Sequence, residues 1–127
     1  MSISPIYRPI LPLATFLLAI GFHSPVFAGD HGASVFEEEC SDCHSVTQGK
    51  NKKGPSLFGV VGRNPATIEG YNYSDAMRAN HTTWTADRLD AYITAPKKIV
   101  PGGKMKYDGL SNAADRTDLI AYLSGLH

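Results

Sequence analysis

The chain of 127 residues has few cysteines, almost no tryptophan and no excess of either charge. It contains 2 cysteines and 1 tryptophan, and its 12 basic side chains balance its 12 acidic ones. The balanced charge gives no argument for binding nucleic acid, which requires a basic surface. The sequence also lacks internal repeats, low-complexity segments and the alternating pattern of β-strands. These absences exclude repeat architectures and favour one small domain without a β-sheet.

The only long apolar run lies at the amino terminus. Residues 1–28 carry a single charge, Arg8, which is followed by an apolar run from Ile10 to Ile20 and by a small residue, Ala28. This order is typical of a secretory signal peptide. A retained membrane anchor is the alternative, but the run is much shorter than the ~20 residues that span a bilayer. We predict cleavage after Ala28 and a single mature domain at residues 29–127.

The mature domain is small and nearly neutral. Loss of Arg8 leaves 11 basic and 12 acidic side chains among its 99 residues, a net charge of −1. A domain of this size buries only a modest core and gains from a large apolar ligand at its centre. We expect an exported, periplasmic monomer with no stable membrane insertion after cleavage.

The mature sequence predicts helices separated by long loops. A first amphipathic helix is expected from Gly32 to Ser45, with its acidic residues in the early turns. Loops rich in glycine, proline and polar residues fill much of the remainder, and a central ligand would organise them. The fold class is therefore predicted to be all-α. Three further helices are expected, one capped by Ser74 and running to about Asn80, one capped by Thr85 and ending before Pro96, and a last one opened by Asn112 and Asp115.

The two cysteines lie in the run Cys40-Ser41-Asp42-Cys43-His44. A disulfide is the usual fate of two cysteines in an exported protein. Their spacing and the histidine directly after them instead predict covalent attachment of haem c. Cys40 and Cys43 would each form a thioether with a vinyl group, and His44 would bring an imidazole nitrogen to the iron. A redox-active dithiol is the main alternative, and zinc is weaker because no second pair of ligands has suitable spacing.

A second axial ligand for the iron must come from another part of the chain. Met105 follows Pro101-Gly102-Gly103-Lys104, a loop without another apolar anchor, and a thioether held there suits a haem iron. A methionine is more often core filler, and we read Met77, on a short predicted helix, in that way. The remaining candidates are the histidines of the mature chain, His31, His81 and His127.

The mature sequence resembles the class I c-type cytochromes of mitochondria and bacteria over its whole length. The resemblance implies the cytochrome c fold, in which the first and last helices cross and long loops surround one covalent haem. It implies that Gly32 and Phe36 pack against Leu119 and Tyr122 at this crossing. The stretches that carry it are Gly32 and Phe36 ahead of CSDCH (40–44), then KKGPSLFGVVGR (52–63), GYNYSDA (70–76), Trp84, LDAYITAPKK (89–98), PGGKM (101–105) and RTDLIAYL (116–123).

The resemblance also implies roles for individual residues of the haem site. The Pro55 carbonyl would accept a hydrogen bond from His44 Nδ1 and fix the imidazole ring. Met105 would be the distal ligand, and Tyr92 would approach its sulfur. A haem propionate would be hydrogen-bonded or shielded by Arg63, Tyr73 and Trp84.

Three positions depart from the family pattern. Met77 stands where the family often has asparagine, and Gly103 stands where it has threonine. Both family side chains join hydrogen bonds around the methionine ligand, so we expect a looser Met105 loop and an altered potential. The loop after His44 is also one residue shorter than in the mitochondrial proteins, and Asn51 lies near the position of a structural histidine.

The function implied is one-electron transfer between a donor and an acceptor protein, without enzymatic activity. The family's mitochondrial members surround the haem edge with lysines, but Glu39 and Asp108 stand where lysine or a neutral residue is expected. A modest positive patch is therefore expected, and Lys50, Lys52 and Lys53 can add to it. The lysines that match the family's ring, where we expect redox partners to dock, are Lys97, Lys98, Lys104 and Lys106.

Two other functions stay open at this point. The thin set of hydrogen bonds around Met105 allows a gas-binding, sensing or weakly peroxidatic cytochrome, in which the methionine is displaced. A C-x-x-C protein without haem is the third possibility. Binding of carbon monoxide to the reduced protein separates the first from a simple carrier, and the absence of a Soret band would indicate the last.

Overall fold

The computed structural model describes residues 28–127, and within them the fold is helical. Most of the chain from 40 to 74 lies in turns, bends and irregular loops, and no strand occurs in the described part. The prediction of an all-α fold with long loops is confirmed. The five helices are α1 (Ala28–Glu39), α2 (Asp75–Arg78), α3 (Ala86–Thr94), α4 (Pro96–Ile99) and α5 (Ala113–Ser124).

The predicted amino-terminal caps are confirmed. Ser74, Thr85 and Asn112 each accept a hydrogen bond from a first-turn amide of α2, α3 and α5, respectively. Such bonds satisfy amides that have no partner within the helix. The sequence did not predict α4. Pro96, which was expected to end α3, also begins α4, at a helix position that needs no amide hydrogen.

The first helix was predicted over residues 32–45, but in the structure it spans Ala28–Glu39. Residues 40–43 form a tight turn instead. The first two amides of this turn both donate to the Phe36 carbonyl, at 2.9 Å each, so the regular helical ladder ends there. Cys40 and Cys43 follow the spacing of apolar residues on a helix face because both line one cavity. Hydrophobic periodicity alone does not separate such a turn from a helix.

Helices α1 and α5 cross at Gly32. A Cβ atom at this position would lie 2.1 Å from the Asp118 carbonyl oxygen, so only glycine permits the approach. The rings of Phe36 and Tyr122 pack beside it with their centroids 6.1 Å apart. Leu119 is completely buried. The expectation that Gly32 and Phe36 pack against the last helix is therefore confirmed.

The core forms around α5, which packs against both α1 and α3. Arg116 of α5 is buried, and its Nε donates to Asp90 Oδ1 of α3 at 2.8 Å. Its Nη1 donates to the carbonyls of Leu110 and Ser111 at 2.8 and 2.9 Å. These bonds tie α5 to α3 and to the loop that precedes α5. The buried apolar residues are Val35, Phe36, Val60, Trp84, Leu89, Tyr92, Val100, Leu119, Ile120 and Leu123.

His31 links α1 to α5 in a pH-dependent way. Its Nδ1 donates to Asp118 Oδ2 at 2.7 Å, and this hydrogen bond raises the pKa of His31. The charges of Asp118, Asp115 and Glu38 raise it further. A raised folded-state pKa stabilises the fold fully below the unfolded value of about 6.5. The contribution is lost as pH rises through the folded pKa.

We therefore expect His31→Gln to lower the free energy of unfolding slightly near pH 5 and to have no effect near pH 9, on either side of the usual histidine pKa of about 6.5. The effect is small because the His31 side chain is 49% exposed. Urea denaturation of both proteins at the two pH values measures the difference. A difference that is equal at both pH values would contradict this account.

The predicted signal peptide falls outside the described residues except for its last residue, Ala28. Its cleavage, and the domain boundary at residue 29, therefore stay predictions. Within residues 28–127, no helix combines the length and the apolar character needed to cross a bilayer.

Candidate functional site

A cavity of about 450 Å³ lies among the helices and loops. This volume is within the usual range of a pocket that binds a cofactor. Much of the wall is apolar, contributed by side chains such as Leu57, Val60, Leu119 and Leu123. All nine residues that the sequence assigns to the haem site line this one cavity: Cys40, Cys43, His44, Pro55, Arg63, Tyr73, Trp84, Tyr92 and Met105.

The cysteine turn places both thiols on the cavity wall. The amides of Cys43 and His44 donate to the Cys40 carbonyl at 3.1 and 2.9 Å, which makes the turn compact. The two cysteines form no disulfide with each other. Burial raises the pKa of the Cys40 thiol to about 12. Reactive cysteines of redox dithiols have lowered pKa values, so this environment argues against a redox dithiol.

A zinc site receives no support from the arrangement. Among residues 28–127, no three histidine, cysteine, aspartate or glutamate side chains gather as a metal site requires. A structural zinc site needs four such ligands.

His44 has the form and the orientation that an axial ligand needs. Its Nδ1 donates to the Pro55 carbonyl at 2.8 Å, which is the contact that the resemblance implies. Burial lowers the pKa of His44 below the usual value, although the Pro55 carbonyl opposes this shift. The ring is therefore held neutral, with Nδ1 occupied and Nε2 left for a metal.

Gly54 packs against the face of the His44 ring. An added Cβ atom at Gly54 would lie 2.3 Å from His44 Cε1 and 2.7 Å from Nδ1. The Gly54 amide also donates to the Cys43 carbonyl at 2.7 Å, which fixes the loop over the ring. Sequence reasoning missed this role, although a glycine directly before Pro55 was a signal for close approach.

The candidates for the second axial ligand differ in whether they line the cavity. Met105 and Met77 both line the cavity. The Tyr92 hydroxyl donates to Met105 Sδ at 3.8 Å, which orients the Met105 thioether. The Tyr92 ring is itself held by Trp84, with the ring centroids 4.8 Å apart. None of the three histidines, His31, His81 and His127, belongs to the cavity wall.

Two of the residues expected at a haem propionate, Arg63 and Tyr73, form hydrogen bonds to the protein backbone. Arg63 donates from Nη1 to the Phe58 carbonyl at 2.8 Å and from Nη2 to the Ser56 carbonyl at 3.0 Å. Its guanidinium therefore braces the loop that follows Pro55. The Tyr73 hydroxyl accepts the Ile68 amide at 3.3 Å and keeps its own proton to donate.

The charges at the rim of the cavity are mixed. Lys53, Lys104 and Lys106 line it together with Glu39 and Asp42. Of the four lysines predicted for docking, Lys104 and Lys106 thus reach the rim, while Lys97 and Lys98 are exposed on α4 outside it. Lys97 forms an ion pair with Asp108 at 2.7 Å.

The loop after Met105 carries an interaction that the sequence did not suggest. The Tyr107 hydroxyl donates to Glu39 Oε2 at 2.7 Å, and both residues line the cavity. An aromatic residue two positions after Met105, in an otherwise polar loop, was the available signal.

The set of donor atoms fits a covalently bound haem. Two thiols in one turn suit the vinyl groups, a neutral imidazole suits the iron, and a thioether in the same cavity suits the other axial position. The apolar walls suit the macrocycle. The arrangement can therefore hold a six-coordinate iron porphyrin away from water.

Comparison with known proteins agrees with this fit. The family model described as cytochrome c matches residues 29–127. A protein named cytochrome c-type cyt cy, from Rhodobacter capsulatus, is 50% identical over 95 residues, which are 75% of this chain and 47% of that protein. The cytochrome c of Gibberella zeae is 47% identical over 93 residues, 72% of this chain and 88% of its own length.

The cytochrome c2 of Rhodopila globiformis is 48% identical over 95 residues, which are 75% of this chain and 90% of that protein. The chain thus spans about half of the length of the Rhodobacter relative and most of the length of the other two.

Proposed function

This chain belongs to the cytochrome c family and carries one covalently attached haem c, and from this premise we propose that it carries single electrons between redox proteins. One observation carries the proposal. A neutral imidazole, His44, and an oriented thioether, Met105, line the same cavity as the two cysteines of the attachment motif. Both axial positions would then be occupied by the protein.

We assign the roles as follows. Cys40 and Cys43 form the two thioether bonds, and His44 and Met105 are the axial ligands. Pro55 holds the His44 ring, and Tyr92 holds the Met105 sulfur. When bound, the haem supplies a one-electron change between ferric and ferrous iron, and a histidine–methionine pair raises its potential.

The protein's own residues favour transfer over catalysis. Occupation of both axial positions by His44 and Met105 leaves no position for a substrate. The rigid apolar wall limits reorganisation of the surroundings when the charge changes, and Trp84 and Tyr92 contribute buried aromatic rings to it. Cys43 is exposed, so an edge of the site reaches the surface near the attachment turn. We propose that electrons enter and leave there.

We further propose that the protein is exported to the periplasm and works as a diffusing monomer. The order of residues 1–28 supports export. Partners would dock on the face that holds the rim lysines Lys104 and Lys106, and Lys97 and Lys98 lie a few residues earlier in the chain, on α4. Because Glu39, Asp42 and Asp108 dilute this patch, encounters should be weak and sensitive to salt.

A gas-binding or weakly peroxidatic function is the second candidate. Gly103 lies directly before Lys104-Met105 and contributes no side-chain hydrogen bond. Within the described residues, Met105 Sδ accepts one weak hydrogen bond, from Tyr92. Exposure of the reduced, haem-loaded protein to carbon monoxide distinguishes the two functions. A carrier binds the gas slowly and incompletely at neutral pH. Rapid and complete binding would contradict the carrier and favour the sensor.

A further inference from the structure

The segment that presents Met105 has no backbone support of its own. Gly103 donates its amide to Val100 and Leu110 donates its amide to Ile93, at 3.0 and 2.9 Å. Between them, residues 104–109 make no backbone–backbone hydrogen bond within the described part of the chain. The position of this segment therefore depends on its side chains.

Four side chains of residues 104–109 hold this segment, through five contacts with other parts of the chain. The Lys104 ammonium contacts the Asn72 carbonyl, and its Nζ lies 4.7 Å from the centroid of the Tyr71 ring. The others are Tyr92 to Met105 at 3.8 Å, Tyr107 to Glu39 at 2.7 Å, and Lys97 to Asp108 at 2.7 Å.

These contacts differ in strength and in what they join. The side chains of Lys97 and Asp108 are 71% and 94% exposed, so their ion pair contributes little. A hydroxyl bound to a thioether is weak because sulfur is a poor acceptor. Tyr107 is half-buried and donates to the carboxylate of the exposed Glu39, which is the stronger, charge-assisted type of hydrogen bond. The exposed Lys104 ammonium makes a bond of the same type to a backbone carbonyl.

The bond between Tyr107 and Glu39 also joins the two sides of the site. Glu39 is the last residue of α1 and directly precedes Cys40. Tyr107 follows Met105 by two residues, and both partners line the cavity. The contact thus connects the attachment turn to the distal loop across 68 positions of sequence.

We propose that the hydrogen bond between Tyr107 and Glu39 is a latch that holds the Met105 loop closed over the haem and limits access of external ligands to the iron. The inference rests on the proposed role of Met105 as axial ligand. Tyr107 and Glu39 are positioning residues, since they act through the loop. Their loss shifts the loop towards an open state in which the methionine is displaced.

Imidazole binding to the ferric, haem-loaded protein measures this equilibrium, because imidazole must displace the methionine. We expect Tyr107→Phe to tighten the apparent affinity for imidazole about fivefold, the usual effect of one net hydrogen bond. Glu39→Ala should give a similar change, and the double variant should add little to either single one. Glu38→Ala is the matched control, because Glu38 is an exposed acid on the same helix outside the cavity wall.

The long-wavelength charge-transfer band of the ferric protein separates the possible failures. A wild-type protein without this band would contradict Met105 as ligand and so the proposed function. A wild-type protein with the band, but with equal imidazole affinity in all variants, would overturn the latch alone. Additive effects of Tyr107→Phe and Glu39→Ala, or an equal effect of Glu38→Ala, would also overturn it. Tighter imidazole binding in both latch variants, with the band retained and with wild-type affinity in Glu38→Ala, would support it.

Discussion

Gly54→Ala is expected to lower the free energy of unfolding of the haem-loaded protein by about 2 kcal/mol, the usual cost of forcing a methyl group into a packed site. The added Cβ atom would lie 2.3 Å from His44 Cε1. The backbone at Gly54 is not left-handed, so steric overlap is the only new cost. Relief requires the His44 ring or the loop at Gly54 to shift, and either movement disturbs the hydrogen bond between His44 and Pro55. Denaturation by guanidinium, followed at the Soret band, measures the change.

Gly49→Ala provides the control for this substitution. Gly49 has a φ of 72°, so alanine there is strained, but an added Cβ atom would meet nothing within 4 Å. We expect it to cost about 1 kcal/mol through backbone strain, without altering the haem spectrum. A Gly54→Ala protein that is as stable as wild type and has the wild-type spectrum would contradict the packing role of Gly54.

The sequence predicted the haem attachment site but not the contact between Gly54 and His44. The order of Cys40, Cys43 and His44 predicts a haem by chemistry alone, because few cofactors need two thiols and an imidazole in one turn. The contact between Gly54 and the ring depends on where a loop folds back, ten residues after His44. That distance appears only when the chain is placed in space.

The starts of α2, α3 and α5 were predicted well, because they depend on residues that are close in sequence. Ser74, Thr85 and Asn112 cap the helices they were expected to cap, because capping is decided within one turn. The end of α1 was wrong by several residues. Cys40 and Cys43 are spaced so that both face the cavity. This spacing is the same as that of apolar residues on one face of a helix, so the sequence pattern wrongly predicted that α1 continues through them.

Side-chain partners were harder to predict than positions. All the residues assigned to the site reach the cavity, but the guanidinium of Arg63 donates to two backbone carbonyls of its own loop. The departure of Glu39 from the expected lysine looked like a loss of docking charge. Its hydrogen bond to Tyr107 gives it a local partner that residue type alone does not reveal.

Met105→Ala is expected to leave the haem attached and to remove the long-wavelength charge-transfer band of the ferric protein. The thioether bonds of Cys40 and Cys43 do not depend on Met105, so attachment should persist. In the proposed site, loss of the Met105 thioether would open one axial position to water. Because axial ligands set haem potentials over a range of about 0.8 V, we expect the midpoint potential to fall by roughly 0.1 V or more. The absorption spectrum of the ferric protein shows whether the band is lost, and a redox titration that follows the Soret band measures the change in potential.

Met77→Ala is the matched control for this substitution, because Met77 is the other methionine on the cavity wall. Its truncation should cost about 2 kcal/mol of stability, the lower end for a methionine that leaves a cavity, since the side chain is only partly buried. The band should remain. A Met105→Ala protein that retains the band would refute Met105 as the ligand, and loss of the band in Met77→Ala would then assign that role to Met77. Since two of the three departures from the family pattern, Met77 and Gly103, lie on the Met105 side of the site, this pair of variants tests the part of the site where they occur.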